Sequence, residues 1–128
     1  MNLLDTSAIF SLFQSGKYSV LFSGATIPLA WYESGNVLWK NYKIKKRISK
    51  EEAMEFGRVL FELLDSMEKV FPSPNFTLSL SMELGLTFYD SSYLSSAIET
   101  GYDLVTDDEK LYNIAKTKVL VKKSTDLR

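Results

Sequence analysis

The sequence of 128 residues contains no cysteine and no histidine. The lack of cysteine excludes disulfides, thiolate nucleophiles and thiolate metal sites, and it is compatible with a reducing cytosol. The lack of histidine excludes the usual general base at neutral pH, the Ser-His-Asp and Cys-His arrangements, and zinc sites built on imidazole. Any hydrolytic chemistry must therefore use carboxylates, hydroxyls, lysines or a hard metal ion.

Long hydrophobic runs and linkers are absent as well. The apolar runs are far shorter than the roughly 18 to 20 residues of a membrane span, and the first ten residues, MNLLDTSAIF, carry no basic segment. We therefore expect a soluble, cytoplasmic protein with no membrane partner. Since 45% of the residues are hydrophobic and no repeat or Pro/Gly-rich linker is visible, we expect one domain over residues 1–128.

Short apolar runs alternate with helical patterns along the chain. The predicted strands are 2–4, 25–28, 70–71, 102–105 and 119–121. Helices are predicted directly after Asp5 and over 17–22, 29–42, 49–67, 75–84, 89–101 and 106–116. The longest helix opens with a capping box formed by Ser49 and Glu52, and Asn75 or Thr77 is the expected cap of the next. This alternation predicts an α/β fold with an approximately five-stranded, mostly parallel sheet and helices on both faces.

Acidic residues stand where the site of such a sheet is expected. Asp5 directly follows the first strand, and Asp107 and Asp108 directly follow the fourth. Asp90 lies in the first turn of one helix and Glu33 in the first turns of another. Because open α/β sheets place their sites at the carboxyl ends of strands, acids from four separate elements can point into one crevice.

Such a cluster would favour a divalent cation. Several carboxylates close together repel one another, and they need raised pKa values or a cation to coexist. Mg²⁺ and Mn²⁺ prefer oxygen ligands, and a bound metal can activate water and stabilise charge on a phosphodiester without histidine.

Each acid also has a simpler structural interpretation. Asp5 and Asp90 could be helix N-caps, and Asp107 and Asp108 could favour a helix N-terminus electrostatically. Thr106 and Glu109 have the spacing of a capping box of their own. Glu33 is harder to explain in this way, because it lies among apolar residues and an unpaired buried charge is costly.

Four segments carry a family resemblance: LLDTSAIF at the start, YESGN around Glu33, LTFYDSSYLSSA around Asp90 and LVTDDEKL around Asp108. In order and spacing they resemble the successive motifs of PIN-domain proteins, especially the small VapC-type toxins of prokaryotic toxin–antitoxin pairs. The resemblance implies a PIN-like nuclease domain that binds Mg²⁺ or Mn²⁺ and hydrolyses RNA as an endoribonuclease. It also implies a cognate antitoxin partner and a homodimer.

The resemblance assigns roles by motif position. Asp5, Glu33, Asp90 and Asp108 match the family's four acids, so they are the candidate catalytic residues and metal ligands. We expect the three aspartates to be the main ligands and Glu33 to bind metal or orient the attacking water. The supporting polar positions are Thr6, Ser7, Asn36 and Thr106. Asp107 departs from the family pattern, in which this position is often small and uncharged, so the fourth ligand is either Asp108 or Asp107.

One segment is strongly basic although the net charge is −1. Its cations are Lys40, Lys43, Lys45, Lys46, Arg47 and Lys50, with no acid among them. With Trp39 and Tyr42 beside them, they could contact RNA phosphates and bases. The alternative is a solvated helix end and loop.

Two other functional classes stay open at this point. The first is a non-catalytic PIN-like module that binds RNA or metal without turnover. The second is a phosphoryl-transfer or receiver-type α/β protein with Asp5 or another acid as phosphoacceptor. That class would want a second acid near the end of the first strand, and none follows Asp5 within two positions.

Overall fold

Five short parallel strands form one sheet in the computed structural model, which describes residues Met1–Arg128. The strands are β1 Asn2–Leu4, β2 Ala25–Thr26, β3 Glu68–Lys69, β4 Asp103–Val105 and β5 Val121–Lys122. Their order across the sheet is β3-β2-β1-β4-β5, and every neighbouring pair is parallel. The predicted α/β class and the five-stranded parallel sheet are confirmed.

Seven α-helices and a terminal 3₁₀ turn connect and follow these strands. They are α1 Thr6–Gln14, α2 Tyr18–Phe22, α3 Leu29–Lys43, α4 Lys50–Ser66, α5 Pro74–Leu84, α6 Phe88–Thr100 and α7 Glu109–Ala115, with the 3₁₀ turn at Ser124–Asp126. The predicted capping box at Ser49 and Glu52 is confirmed, since each side chain bonds the other's backbone N–H. None of these helices combines the length and hydropathy required to cross a bilayer.

The core lies on both faces of the sheet. Successive strand residues point to opposite faces, so Leu3 packs in one buried cluster with Leu94 of α6, whereas Leu4 packs in another with Leu60 of α4. All of these side chains are fully buried. The backbone before β2 comes so close to β1 that a Cβ at Gly24 would lie 2.5 Å from the Leu4 side chain. Only glycine fits there without a shift of the core.

Several predicted boundaries are wrong, each for a physical reason. The third strand is Glu68–Lys69 and not Val70–Phe71, because an exposed edge strand is held by backbone bonds to β2 and needs no apolar side chains. The last strand begins at Val121, two residues later than predicted. Helix α5 starts at Pro74 after Ser73, so neither Asn75 nor Thr77 caps it.

The last helix begins later than the sequence predicts. Asp108 is the N-cap of α7, accepting a bond of 2.8 Å from the Leu111 N–H, and the helix starts at Glu109. The proposed capping box of Thr106 and Glu109 is therefore wrong. The Thr106 hydroxyl instead donates to Asp5. A tertiary contact therefore uses the hydroxyl that the local sequence pattern had assigned to the helix cap.

Candidate active site

The strand order reverses between β1 and β4, and two of the acids follow these strands. The chain runs from β1 to β2 on one side, and β4 lies on the other side of β1. Asp5 extends the pairing of the two strands, because its N–H donates to the Val105 carbonyl at 3.1 Å. The candidate site is therefore at the carboxyl edge of the sheet, at the point where α/β folds open a crevice.

The Asp5 carboxylate is held by three groups and is nearly buried. It is the N-cap of α1, and its Oδ1 accepts from the Ala8 N–H at 3.0 Å and from the Ser7 hydroxyl at 2.7 Å. Its Oδ2 accepts from the Thr106 hydroxyl, which comes from the end of β4. Only 5% of the residue's surface is exposed. Both strand ends thus fix this carboxylate in one orientation.

The surroundings of Asp5 disfavour its charge. Burial raises the pKa of this carboxyl to about 6 from an ordinary value of 3.8, although hydrogen bonds from Thr106, Ala8 and Ser7 act in the opposite direction. The negative charge of Glu33 raises it further. A nearby cation would stabilise the ionised form of this carboxylate.

Glu33 lies in α3, and two hydroxyls hold one of its oxygens. The Tyr93 hydroxyl donates to Oε1 at 2.6 Å, and the Thr6 hydroxyl lies 2.9 Å from the same oxygen. Thr6 and Tyr93 are also 2.9 Å apart. Burial and the charge of Glu33 both raise the pKa of Tyr93, so its hydroxyl stays protonated and donates. This arrangement orients Glu33 and leaves its Oε2 without a bond from either hydroxyl.

Asp90 and Asp108 form the other side of the site. Asp90 is the third residue of α6, whose N-cap is Thr87 and not Asp90, so the capping interpretation of Asp90 is wrong. Partial burial raises the pKa of Asp90, and the charges of Asp108 and Glu33 raise it further. Asp108 is exposed and uses Oδ1 to cap α7.

The four predicted acids therefore interact as a series: Asp5 with Glu33, Glu33 with Asp90, and Asp90 with Asp108. No salt bridge includes any of them. As they stand, no three acidic side chains are gathered closely enough to form a coordination group. The all-oxygen donor set, one nearly buried carboxylate and the mutual repulsion nevertheless fit a hard divalent cation such as Mg²⁺ or Mn²⁺.

Asp107 is directed to a different part of the protein. Its two carboxylate oxygens accept from the N–H and the hydroxyl of Ser124, at 2.8 and 2.6 Å. Burial acts to raise its pKa, but these bonds outweigh it and hold the pKa below the ordinary value. Asp107 thus secures the C-terminal turn, and of the two candidates for the fourth ligand the geometry favours Asp108.

Of the predicted supporting residues, Ser7 and Thr106 contact the acids of the site, whereas Asn36 is exposed. The Ser7 hydroxyl donates to Asp5 and accepts from the Asp107 N–H at 3.0 Å, which links the two strand ends. Thr106 is fully buried and accepts from the Asp108 N–H at 3.1 Å. Asn36, by contrast, lies exposed on α3, one turn after Glu33.

The sequence reasoning missed Tyr93 and Ser124. A signal for Tyr93 was present, because it follows Asp90 by three positions on a helix and so shares its face. Ser124 gave no such signal, since its bond to Asp107 spans 17 residues of chain.

The basic residues predicted to contact RNA all lie exposed at the end of α3 and in the following loop. They are Lys40, Lys43, Lys45, Lys46 and Arg47. Lys45 and Arg47 line a cavity that also includes Thr6 and Ser7 of the candidate site.

Comparison with known proteins supports the resemblance seen in the motifs. No protein-family model matches the sequence. Exonuclease VapC9 of Pyrobaculum aerophilum is 36% identical over 122 residues, which cover 91% of this chain and 85% of the relative. A crystal structure of a Pyrobaculum aerophilum protein matches with a TM-score of 0.82 and 30% identity, over 98% of this chain and 92% of that one.

A more distant structure shares the fold. A chain of a toxin–antitoxin complex from Klebsiella pneumoniae matches with a TM-score of 0.62 at 17% identity, over 88% of this chain and 90% of that one. The identity and coverage of the first relative, together with the shared fold, establish the family. The chain belongs to the VapC-type PIN-domain family.

Proposed function

We propose that this protein is an Mg²⁺- or Mn²⁺-dependent ribonuclease and the toxin of a toxin–antitoxin pair. The observation that carries the proposal is the nearly buried carboxylate of Asp5, which interacts with Glu33 and through it with Asp90 and Asp108, while no salt bridge neutralises any of them. Nuclease chemistry also agrees with the relative's name, Exonuclease VapC9.

The site residues have distinct roles in this proposal. Asp5, Asp90 and Asp108 would hold the cation, which when bound supplies charge neutralisation at the phosphodiester and lowers the pKa of water. Thr106 and Ser7 keep Asp5 in place. Tyr93 and Thr6 fix Oε1 of Glu33, so that Oε2 can orient the attacking water. Asp107 does not bind the cation and instead holds the C-terminal turn through its bonds with Ser124.

The test is incubation of the protein with a mixed RNA pool, with and without Mn²⁺ or Mg²⁺. We expect cleavage that EDTA abolishes, and loss of cleavage in Asp5→Asn and Asp90→Asn. The matched control is Asp65→Asn, an exposed aspartate on α4 that should cleave like the parent. Parental cleavage by Asp5→Asn or Asp90→Asn would contradict the assignment, and RNA binding without turnover would indicate a non-catalytic module.

The same assay separates two modes of cutting. We propose endonucleolytic cleavage, whereas the relative's name specifies an exonuclease. A circular RNA has no ends, so an endonuclease linearises it and an exonuclease leaves it intact. Comparing circular and linear forms of one sequence therefore decides between the two.

The proposal includes two protein partners, an antitoxin and a second copy of the chain. Family membership supports both, and one structure that shares the fold is a toxin–antitoxin complex. Light scattering on the purified chain should give the mass of a dimer. Co-expression with the product of the neighbouring gene should give a complex that no longer cleaves RNA. A monomer at micromolar concentration, or a complex with full activity, would contradict these two parts.

A further inference from the structure

A cavity of about 590 Å³ lies beside the candidate active site and has no role in the chemistry described above. It is surrounded by α1, α3, the loop between α3 and α4, and α4. Thr6 and Ser7, whose hydroxyls hold Glu33 and Asp5, form part of its lining. Its volume is within the range of about 300 to 1,000 Å³ that is typical of small-ligand sites. A ligand in this cavity would therefore lie next to the acids.

The positive charge of the lining comes from two residues of the loop. Lys45 and Arg47 line this cavity, whereas Lys46, between them, lines a separate hollow with Lys43. Lys46 is the one non-glycine residue with a positive φ, 52°. Backbone bonds tie the loop to the end of α3, from Lys45 N–H to the Lys40 carbonyl at 2.9 Å and from Arg47 N–H to the Asn41 carbonyl at 2.8 Å.

Consecutive cations of this loop line different hollows, and the residue between the two cavity-lining cations has an uncommon backbone conformation. Uncommon backbone conformations that the surrounding structure maintains occur often at functional sites. Here the left-handed residue, Lys46, lies between the two cations that line the cavity and itself lines the other hollow. Cations beside an acidic site have an electrostatic use, because carboxylates repel a phosphate and nearby Lys or Arg can hold it.

The rest of the lining suits a nucleobase. Phe10 and Phe56 line the cavity and stack on each other, with ring centroids 5.8 Å apart and planes at 13°. Two amides, Gln14 and Asn41, stand at the same cavity. The Asn41 amide nitrogen donates to the Val37 carbonyl at 2.9 Å, which leaves its oxygen as an acceptor. Apolar surface with a few polar groups is the usual composition of a site that selects its ligand.

We propose that this cavity seats the nucleotide that adjoins the scissile phosphate. Its base lies against the apolar surface of Phe10 and Phe56, its phosphate pairs with Lys45 and Arg47, and Gln14 contacts the edge of the base. The inference rests on the proposed ribonuclease function and deepens it, since it says which of the basic residues bind RNA and where one base is selected.

The first experiment measures RNA binding in the metal-free protein, so that cleavage does not enter. The probe is a fluorescent single-stranded RNA of mixed sequence in EDTA, and the readout is anisotropy at several salt concentrations. We expect Lys45→Ala and Arg47→Ala each to weaken binding about tenfold. Each should also reduce the slope of log Kd against log salt by roughly 0.7, the value for one phosphate contact on a single strand.

The matched controls are Lys40→Ala and Lys43→Ala, which remove the same charge from the same exposed segment outside the cavity. We expect these variants to bind within threefold of the parent. Equal losses in all four variants, or no loss in Lys45→Ala and Arg47→Ala, would overturn the proposal. It would also be wrong if those two variants bind RNA normally but lose the antitoxin, because the cavity would then be a protein-docking site.

The second experiment addresses the base. The ends of the cleavage products are sequenced for the parent and for Gln14→Ala. We expect the parent to prefer certain nucleotides beside the cut, and the variant to lose that preference at one position. An unchanged preference would remove Gln14 from the proposal. If the parent cleaves no RNA with either metal, the ribonuclease function fails, but the binding experiment still decides whether the cavity holds RNA.

Discussion

Replacing Asp5 by Asn should stabilise the metal-free protein while it abolishes nuclease activity. Burial raises the pKa of Asp5 to about 6 from 3.8, so ionising this group costs free energy in the folded state. At about 1.4 kcal/mol per pKa unit, the difference corresponds to about 3 kcal/mol above pH 7. Asn removes the charge, but its amide nitrogen cannot accept the Thr106 proton, which costs about 1 kcal/mol. The expected net gain is about 2 kcal/mol.

The stability gained in Asp5→Asn should depend on pH, and the sign follows from the proton linkage of folding. Because the pKa of Asp5 is raised on folding, the folded protein binds more protons than the unfolded chain between about pH 4 and pH 6. The contribution of Asp5 to the free energy of unfolding therefore falls as pH rises through this window. The free energy of unfolding of Asp5→Asn does not include this decrease. The stability difference between Asp5→Asn and the parent should therefore be large at pH 8 and should disappear near pH 4.

The assay is urea denaturation in EDTA at pH 4.5 and pH 8, with Asp65→Asn as the control. Asp65 is exposed, and Asn keeps an oxygen that can accept from the Trp31 indole N–H, which bonds Asp65 Oδ1 at 2.8 Å, so this replacement should change stability by less than about 0.5 kcal/mol at both pH values. If the difference between the parent and Asp5→Asn is the same at both pH values, a buried charge is not what limits stability, and the reasoning fails. Added Mn²⁺ should stabilise the parent more than the variant.

Three further predictions concern Tyr93, Asp107 and Asp108. Tyr93→Phe removes the hydroxyl that donates to Glu33, and we expect kcat to fall at least tenfold with little change in KM for RNA. Thr6→Ser, which keeps its hydroxyl, should stay near parental activity, and a parental kcat in Tyr93→Phe would show that Glu33 needs no such support. Asp107→Asn should lower stability by about 1 kcal/mol at pH 7, because one of the Ser124 bonds loses its acceptor. Since the pKa of Asp107 is lowered on folding, this loss should vanish as pH falls below 4. Calorimetry should show parental Mn²⁺ affinity in Asp107→Asn and weakened affinity in Asp108→Asn.

The strands of the sheet were predictable where they are buried, because buried strands consist mainly of apolar residues. The central strands β1 and β4 end in the buried pairs Leu3-Leu4 and Leu104-Val105, with an acid one or two positions further on, and both were located to within one residue. The edge strand β3 was misplaced, because Glu68 and Lys69 are exposed and pair only through backbone groups. A run of apolar residues therefore signals a buried strand, and an edge strand gives no such signal.

Local patterns located the acids but could not give the direction of their side chains. Asp107 and Asp108 are neighbours in sequence, yet one carboxylate turns to Ser124 near the C-terminus and the other lies toward Asp90. That choice depends on a contact between distant parts of the chain. The role of Tyr93 in holding Glu33 depends in the same way on a side-chain contact between α3 and α6, next to Thr6 of α1.

The capping and metal-binding interpretations of these acids do not exclude each other. Asp5 and Asp108 are both helix N-caps, and each uses Oδ1 for the cap. The cap ties the carboxylate to the first turn of a helix at the end of a strand, which gives it a fixed position. Its Oδ2 stays outside the helix, held by Thr106 in Asp5. Asp107 shows the contrast, since it caps no helix and both of its oxygens accept from Ser124, in the C-terminal turn. What separates a structural acid from a candidate ligand here is therefore the part of the protein that the carboxylate faces, and not whether its oxygens accept hydrogen bonds or whether the residue caps a helix.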